Sequence, residues 1–271
     1  MGGTQSTEAM MTAVLNRVLC ALGLTILLMP AGMAQELPGK LILGTEGAYP
    51  PFNYTDANGK VQGFEIDLGN EMCRRLKVEC EWVTQDWDGI IPGLLARKYD
   101  AIIASLYITD ERREKIAFSE KYYKVPARFV VPKDSDIEIS AKGLAGKVVG
   151  TQRATSFERF MRDEMPDIEL RVYATMDEAY IDLEAGRVDA IMADVVAVSQ
   201  GFLSKPGGER FEMRGPEYTG AKWFGYGAGV GVRKEDTNIA DAFSKAIHQM
   251  REDGSYQDIS KKWFGFDVYG G

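Results

Sequence analysis

Leu95-Ala-Arg-Lys-Tyr-Asp100-Ala-Ile-Ile-Ala-Ser105 has an echo further along the chain, Leu183-Glu-Ala-Gly-Arg-Val-Asp189-Ala-Ile-Met-Ala-Asp194. Each stretch reads as the end of a helix, a tight turn and a short apolar strand of the kind buried on both faces. Five residues past the shared aspartate, each strand ends on a polar group, Ser105 in one and Asp194 in the other. Helix-turn-strand units converge on such wording by themselves, so the echo needs support from the rest of the chain.

That support comes from a pattern that runs once and then restarts. Leu41 to Thr45 is a short apolar strand. Phe64, Leu68, Met72 and Leu76 recur at fours and predict a helix over 64–76. Cys80 to Thr84 reads as a strand, Ile90 to Ala96 as a helix with Pro92 in its first turn, and Asp100 to Ala104 as a buried strand. After residue 127 come a strand at Lys147–Thr151, a helix at Ser156–Glu164, a strand at Leu170–Tyr173, a helix at Met176–Ala185 and a strand at Val188–Ala193. The last quarter holds a glycine-spaced strand, Gly227–Val232, and helices over 239–251 and 256–263. Such alternation predicts parallel sheets with helices on their faces, built as two α/β lobes whose strand ends face one cleft.

The chain opens with a targeting pattern. Arg17 precedes the apolar run Val18–Met29, and Pro30-Ala-Gly-Met-Ala34 supplies small residues before Gln35. That order predicts a secretory signal peptide over residues 1–34, cut after Ala34. Met10 or Met11 would open a more typical one. Losing Glu8 and Arg17 together leaves the net charge at −8, which disfavours nucleic acid and anionic lipid as partners. Of the three cysteines, Cys20 leaves with the signal, while Cys73 and Cys80 stand seven apart. In an exported chain such a pair favours a disulfide over free thiols, a modest staple of about 2 kcal/mol. A metal site is disfavoured because the only histidine is His248, so no metal or cofactor is expected.

Chemistry concentrates in Ala104-Ser105-Leu106-Tyr107-Ile108-Thr109-Asp110-Glu111-Arg112-Arg113-Glu114-Lys115, which follows the first buried strand. It delivers a hydroxyl, backbone amides and an arginine to that strand's carboxyl end, where open sheets bind ligands. A guanidinium there suits a carboxylate, since its planar fork donates two parallel hydrogen bonds.

With these residues in place, the chain resembles the periplasmic amino-acid-binding proteins of polar amino-acid ABC transporters, in particular the lysine/arginine/ornithine-, histidine- and opine-binding group. The resemblance runs from about Lys40 to Tyr269. It rests on Gly44-Thr-Glu-Gly-Ala-Tyr-Pro-Pro-Phe52, Gly63-Phe-Glu-Ile-Asp-Leu68, Asp86-Trp-Asp-Gly-Ile-Ile-Pro-Gly-Leu94, Ile108-Thr-Asp-Glu-Arg112, the cysteine spacing, and the ending Asp253-Gly-Ser-Tyr…Lys262-Trp-Phe. It implies a two-lobed type II periplasmic binding protein fold, with lobe one over 35–125 and 224–271 and lobe two over 126–223, joined by two crossover strands. It also implies a monomer that captures an amino acid or opine in the cleft and hands it to a membrane permease.

The resemblance implies roles residue by residue. Arg112 should fork the ligand's α-carboxylate, and Ser105 should help hold the same head group. Thr155 or Ser156 should cap a helix whose free amides attract that carboxylate, though the family usually has glycine where Ala154 stands, which implies a less close backbone approach. Asp194 should accept the α-ammonium, cap the following helix, or do both. Glu46, Tyr49 and Trp87 should meet the side chain; relatives that bind basic amino acids commonly have aspartate in place of Glu46, so the longer carboxylate either reaches further or fills space. Tyr107 replaces the usual serine or threonine and either donates from further away or narrows the pocket. Gln152 and Arg153 should line the cleft, the arginine suiting an additional acidic group such as an opine's second carboxylate.

Other motifs carry less. Gly227-Ala-Gly-Val-Gly231 mimics a nucleotide fingerprint, but no helix and acid follow in register, so it reads as a closely packed strand. His248 sits on an amphipathic helix and reads as surface. A receptor without catalysis is the leading expectation. The alternatives are a cyclohexadienyl dehydratase-like enzyme on the same scaffold, with Glu46 or Asp194 as the acid or base, and a ligand sensor for a separate membrane receptor.

Overall fold

Residues 36–270 are described by the computed structural model, so the signal-peptide expectation lies outside the described residues. The first pass of the chain gives β1 (Lys40–Thr45), then a hairpin group of β2 (Ala48–Tyr49), β3 (Asn53–Thr55) and β4 (Val61–Gln62). Helix α1 (Phe64–Leu76), β5 (Glu79–Thr84), α2 (Ile90–Leu95), β6 (Ala101–Ile102), α3 (Asp110–Lys115) and β7 (Ala117–Tyr123) follow. The second pass gives β8 (Ala127–Pro132), β9 (Val148–Gln152), α4 (Ser156–Glu164), β10 (Glu169–Tyr173), α5 (Met176–Glu184), β11 (Ala190–Asp194) and β12 (Phe211–Tyr218). The return supplies α6 (Ala221–Phe224), β13 (Ala228–Val232), α7 (Thr237–Asp253) and α8 (Ser255–Phe264).

These strands make two five-stranded sheets of matching design, ordered β5-β1-β6-β13-β7 and β10-β9-β11-β8-β12. In each, three strands run parallel and two more pair antiparallel. The wholly parallel sheets expected from the alternation are therefore corrected to mixed sheets. The reason is local: every antiparallel pairing involves β8 or β13, and each of these enters from the other sheet and not through a βαβ crossover within its own, so nothing forces parallel pairing. The chain passes from one sheet to the other at 124–126 and returns at 219–227, giving a two-lobed α/β fold.

The sequence echo has a structural cause. Asp100 Oδ2 accepts from the Ile42 amide at 2.9 Å, and its own amide donates to the Ile42 carbonyl. Asp189 treats Val148 identically, accepting at 2.8 Å and donating back. Each aspartate thus clamps the second strand of its sheet, β1 or β9, beside the incoming β6 or β11. At the end of α1, Lys77 takes a left-handed conformation (φ 57°), and Cys73 is disulfide-bonded to Cys80 in β5 with 6.2 Å between Cα atoms. The glycine-rich β13 is packing, as expected: a Cβ on Gly229 would lie 2.7 Å from Ile108 Cδ1, and one on Gly231 would lie 3.0 Å from Leu106.

Candidate functional site

Both sheets present the carboxyl ends of their parallel strands to one narrow cavity. Ten of the residues singled out from the sequence line it, six from the first pass and four from the second. The first pass supplies Glu46 just after β1, Tyr49 in β2, Trp87 in a 3₁₀ turn, Ser105 and Tyr107 after β6, and Arg112 in α3. The second supplies Gln152 at the end of β9, Thr155 and Ser156 at the start of α4, and Asp194 at the end of β11. Ala104, Tyr123 and Phe157 also line the cavity and were not anticipated. Their apolar bodies look like core in a sequence; only the neighbouring motif positions point to them.

Arg112 owes its position to Thr109, whose hydroxyl accepts from the Arg112 amide at 3.3 Å and caps α3. The guanidinium is buried, donates from Nη1 to the Tyr107 carbonyl at 2.9 Å, and lies 5.3 Å from the Trp87 ring centroid. No carboxylate pairs with it among the described residues. Burial lowers its pKa to about 10, so it remains a cation at neutral pH.

Across the cavity, Asp194 does two jobs at once. Its Oδ1 accepts from the Val196 (2.8 Å) and Ala197 (3.3 Å) amides, capping the π-helical stretch Ala197–Leu203, while Oδ2 accepts from the Tyr107 hydroxyl at 3.0 Å. Burial outweighs these donors and raises its pKa to about 7. Glu46 is raised to about 7 chiefly by burial, with the charges of Glu65, Asp177 and Asp86 adding and the Gln152 hydrogen bond opposing. Gln152 Nε2 donates to Glu46 Oε1 at 2.5 Å and to the Ala174 carbonyl at 3.0 Å.

The remaining positions refine the expectations. Tyr107 reaches across to Asp194, so the phenol spans the cleft as well as narrowing it. Thr155 caps α4 by accepting from the Glu158 amide at 3.2 Å, and Ser156 follows it, buried. Ser105 lines the cavity, and its amide (2.6 Å) and hydroxyl (3.2 Å) both donate to Glu65 Oε1. Glu65, which the sequence reading passed over, is fully buried and also takes Asn53 at 2.6 Å and the Tyr122 hydroxyl. Arg153 does not line the cavity; it pairs with Asp88 at 2.7 Å, nearly half-exposed, because Asp88 stands opposite it across the cleft mouth. Ser105 (φ 54°) and Ala154 (φ 57°) are both left-handed, a conformation that favours glycine and accounts for the glycine usual at the latter position.

Chemically the cavity holds one unpaired cation facing two buried carboxylates, between aromatic walls. That charge pattern complements a dipolar molecule of amino-acid size. Among the described residues no group of three or more His, Cys, Asp or Glu could hold a metal ion.

Comparison with known proteins is consistent with this geometry. The chain is 44% identical over 236 residues to the lysine/arginine/ornithine-binding periplasmic protein of Escherichia coli, covering 86% of this chain and 91% of that relative. It is 42% identical over 255 residues to the L-arginine-binding protein of Pseudomonas aeruginosa, covering 93% and 97%. Among solved structures, an ancestral arginine-binding protein bound to arginine superposes with a TM-score of 0.77 at 34% identity, covering 84% of this chain and 99% of that one. Residues 41–266 match the model of a single family. The chain belongs to the bacterial extracellular solute-binding proteins, family 3.

Proposed function

We propose that this protein is a periplasmic receptor, without catalytic activity of its own, that captures a basic amino acid or an arginine-derived opine and delivers it to an ABC permease. The observation that carries this reading is the buried Arg112 guanidinium, unpaired by any carboxylate among the described residues, facing buried Asp194 and Glu46 across one small cavity. Leaving such a cation unpaired is expensive, and a ligand carboxylate relieves the penalty. In this reading Arg112 and the amides opening α4, at Thr155 and Ser156, hold the α-carboxylate; Asp194 takes the α-ammonium. Glu46, with Tyr49 and Trp87, receives the cationic side chain. Relatives named for binding lysine, arginine and ornithine support the ligand class, and the periplasmic name of the Escherichia coli relative supports export by the leader at residues 1–34.

A thermal-shift screen of arginine, ornithine, lysine, histidine, octopine and nopaline tests it. A ligand at a hundred times its Kd should stabilise the fold by about 2.7 kcal/mol. Arg112→Ala should abolish that stabilisation; an unchanged shift removes Arg112 from the site. Equal shifts with neutral amino acids would overturn the basic-ligand assignment.

A further inference from the structure

The cavity contains a buried hydroxyl that the protein does not satisfy. Tyr123, at the end of β7, is fully buried and lines the cavity, yet its Oη has no hydrogen-bond partner among the described residues. Four other buried phenols are spent: Tyr99 donates to the Ile90 carbonyl, Tyr107 to Asp194, Tyr122 to Glu65 and Tyr256 to the Tyr122 carbonyl. The orphan cannot turn away, because its ring stacks on Phe52 (centroids 4.7 Å apart, planes at 20°) and meets Tyr107 and Tyr122 edge-on. A buried hydroxyl held without a partner is a desolvation penalty that a ligand removes on arrival.

Its neighbours say which ligand atom fits. The Tyr107 hydroxyl spends its proton on Asp194 Oδ2 and keeps its lone pairs. Asp194 Oδ1 is occupied by two amides, so Oδ2 is the oxygen left to face the cavity. Burial, and then the charge of Asp194, holds Tyr123 as a neutral phenol.

We infer that Tyr123 is a further ligand-binding residue, completing with Asp194 Oδ2 and Tyr107 Oη a three-oxygen cradle that accepts a primary ammonium and refuses an N-substituted one. The inference rests on the functional reading above and narrows it. A primary ammonium offers three N–H donors, one for each oxygen. N-alkylation removes one donor and sets carbon against an oxygen with nowhere else to bond, the arrangement by which sites reject close analogues. Opines are such N-substituted amino acids, and they bring a second carboxylate as well. Arg112 is the only cation lining the cavity among the described residues, and Arg153 is committed to Asp88, so that second carboxylate finds no partner.

The test is calorimetric titration of the exported protein and its Tyr123→Phe variant. The probes are L-arginine and L-lysine, each as the free amino acid and as its Nα-methyl derivative, together with octopine. Wild type should bind the better free amino acid about tenfold or more tighter than its Nα-methyl form, and tighter than octopine. Tyr123→Phe should weaken the free amino acid by about three- to tenfold and leave the Nα-methyl form nearly unchanged, so that discrimination shrinks. The variant's ligand-free Tm should not fall, since the lost hydroxyl had no partner. Octopine or the Nα-methyl form bound as tightly as the free amino acid by wild type overturns the cradle. So does a variant that binds the free amino acid as wild type does, or that loses affinity for both forms equally. Wild type that binds neither arginine nor lysine defeats the functional reading itself, an outcome visible before any variant is made.

Discussion

Asp194 and Glu46 face the same physical problem, a carboxylate buried where charge is costly. Each has a folded pKa of about 7 against roughly 4 in an unfolded chain. Between those values the folded state keeps protons that the unfolded state has released, so their contribution to stability is full below about pH 4 and is lost as pH rises through 7. The loss is on the order of 4 kcal/mol for each group. The ligand-free Tm should therefore fall between about pH 4 and pH 7, and Asp194→Asn should flatten that slope. A cationic ligand reverses the preference by favouring both ionised carboxylates. Binding at pH 6.5 should release protons, and affinity should rise with pH; calorimetry in two buffers of different ionisation enthalpy reads this directly, and proton uptake would contradict it.

Among the elements, the paired aspartates before β6 and β11 show that a sequence echo can report scaffolding while pointing at function. Asp189→Ala should cost about 1–2 kcal/mol of stability, because the Val148 amide loses its acceptor, and should leave ligand affinity unchanged. Chemical denaturation and titration of the variant check both halves, and a large affinity loss would move Asp189 into the binding machinery. Helices were legible wherever an apolar face met a cap: 64–76 and 156–164 have the bounds expected from Phe64 to Leu76 and from the Thr155 cap. Strands β7, β8 and β12 were not placed, because their pairing is decided across the sheet. The ten cavity residues were legible because motif order fixes where each strand ends. What sequence does not carry is partner choice: that Ser105 spends its hydroxyl on Glu65, that Arg153 turns to Asp88, and that Tyr123 is left without a partner.

At the scale of the molecule, contacts from one lobe to the other ring the cavity. Arg153 pairs with Asp88 at 2.7 Å and Arg159 with Glu111 at the mouth; Gln200 Nε2 reaches the Phe264 carbonyl at 3.3 Å. Inside lie the Glu46–Gln152 and Tyr107–Asp194 bonds. The two ion pairs are partly exposed, so each contributes within about 1 kcal/mol. Replacing Asp88 and Glu111 together by Asn and Gln should favour the open form and weaken ligand binding by roughly two- to tenfold, through faster dissociation with little change in association. Stopped-flow kinetics separates the two rates, and an effect confined to association would assign these charges to steering instead.

The indole of Trp87 donates to the Ala154 carbonyl at 3.3 Å, a bond that joins opposite walls of the cleft. Trp82 and Trp263 bond to Asn70 and Asp67, partners within the first lobe. In the proposed receptor, a ligand that draws these walls together should change the surroundings of Trp87 and not those of Trp82 and Trp263. Ultraviolet emission is therefore expected to shift on ligand addition, with Trp87→Phe removing the shift, and no attached dye is needed.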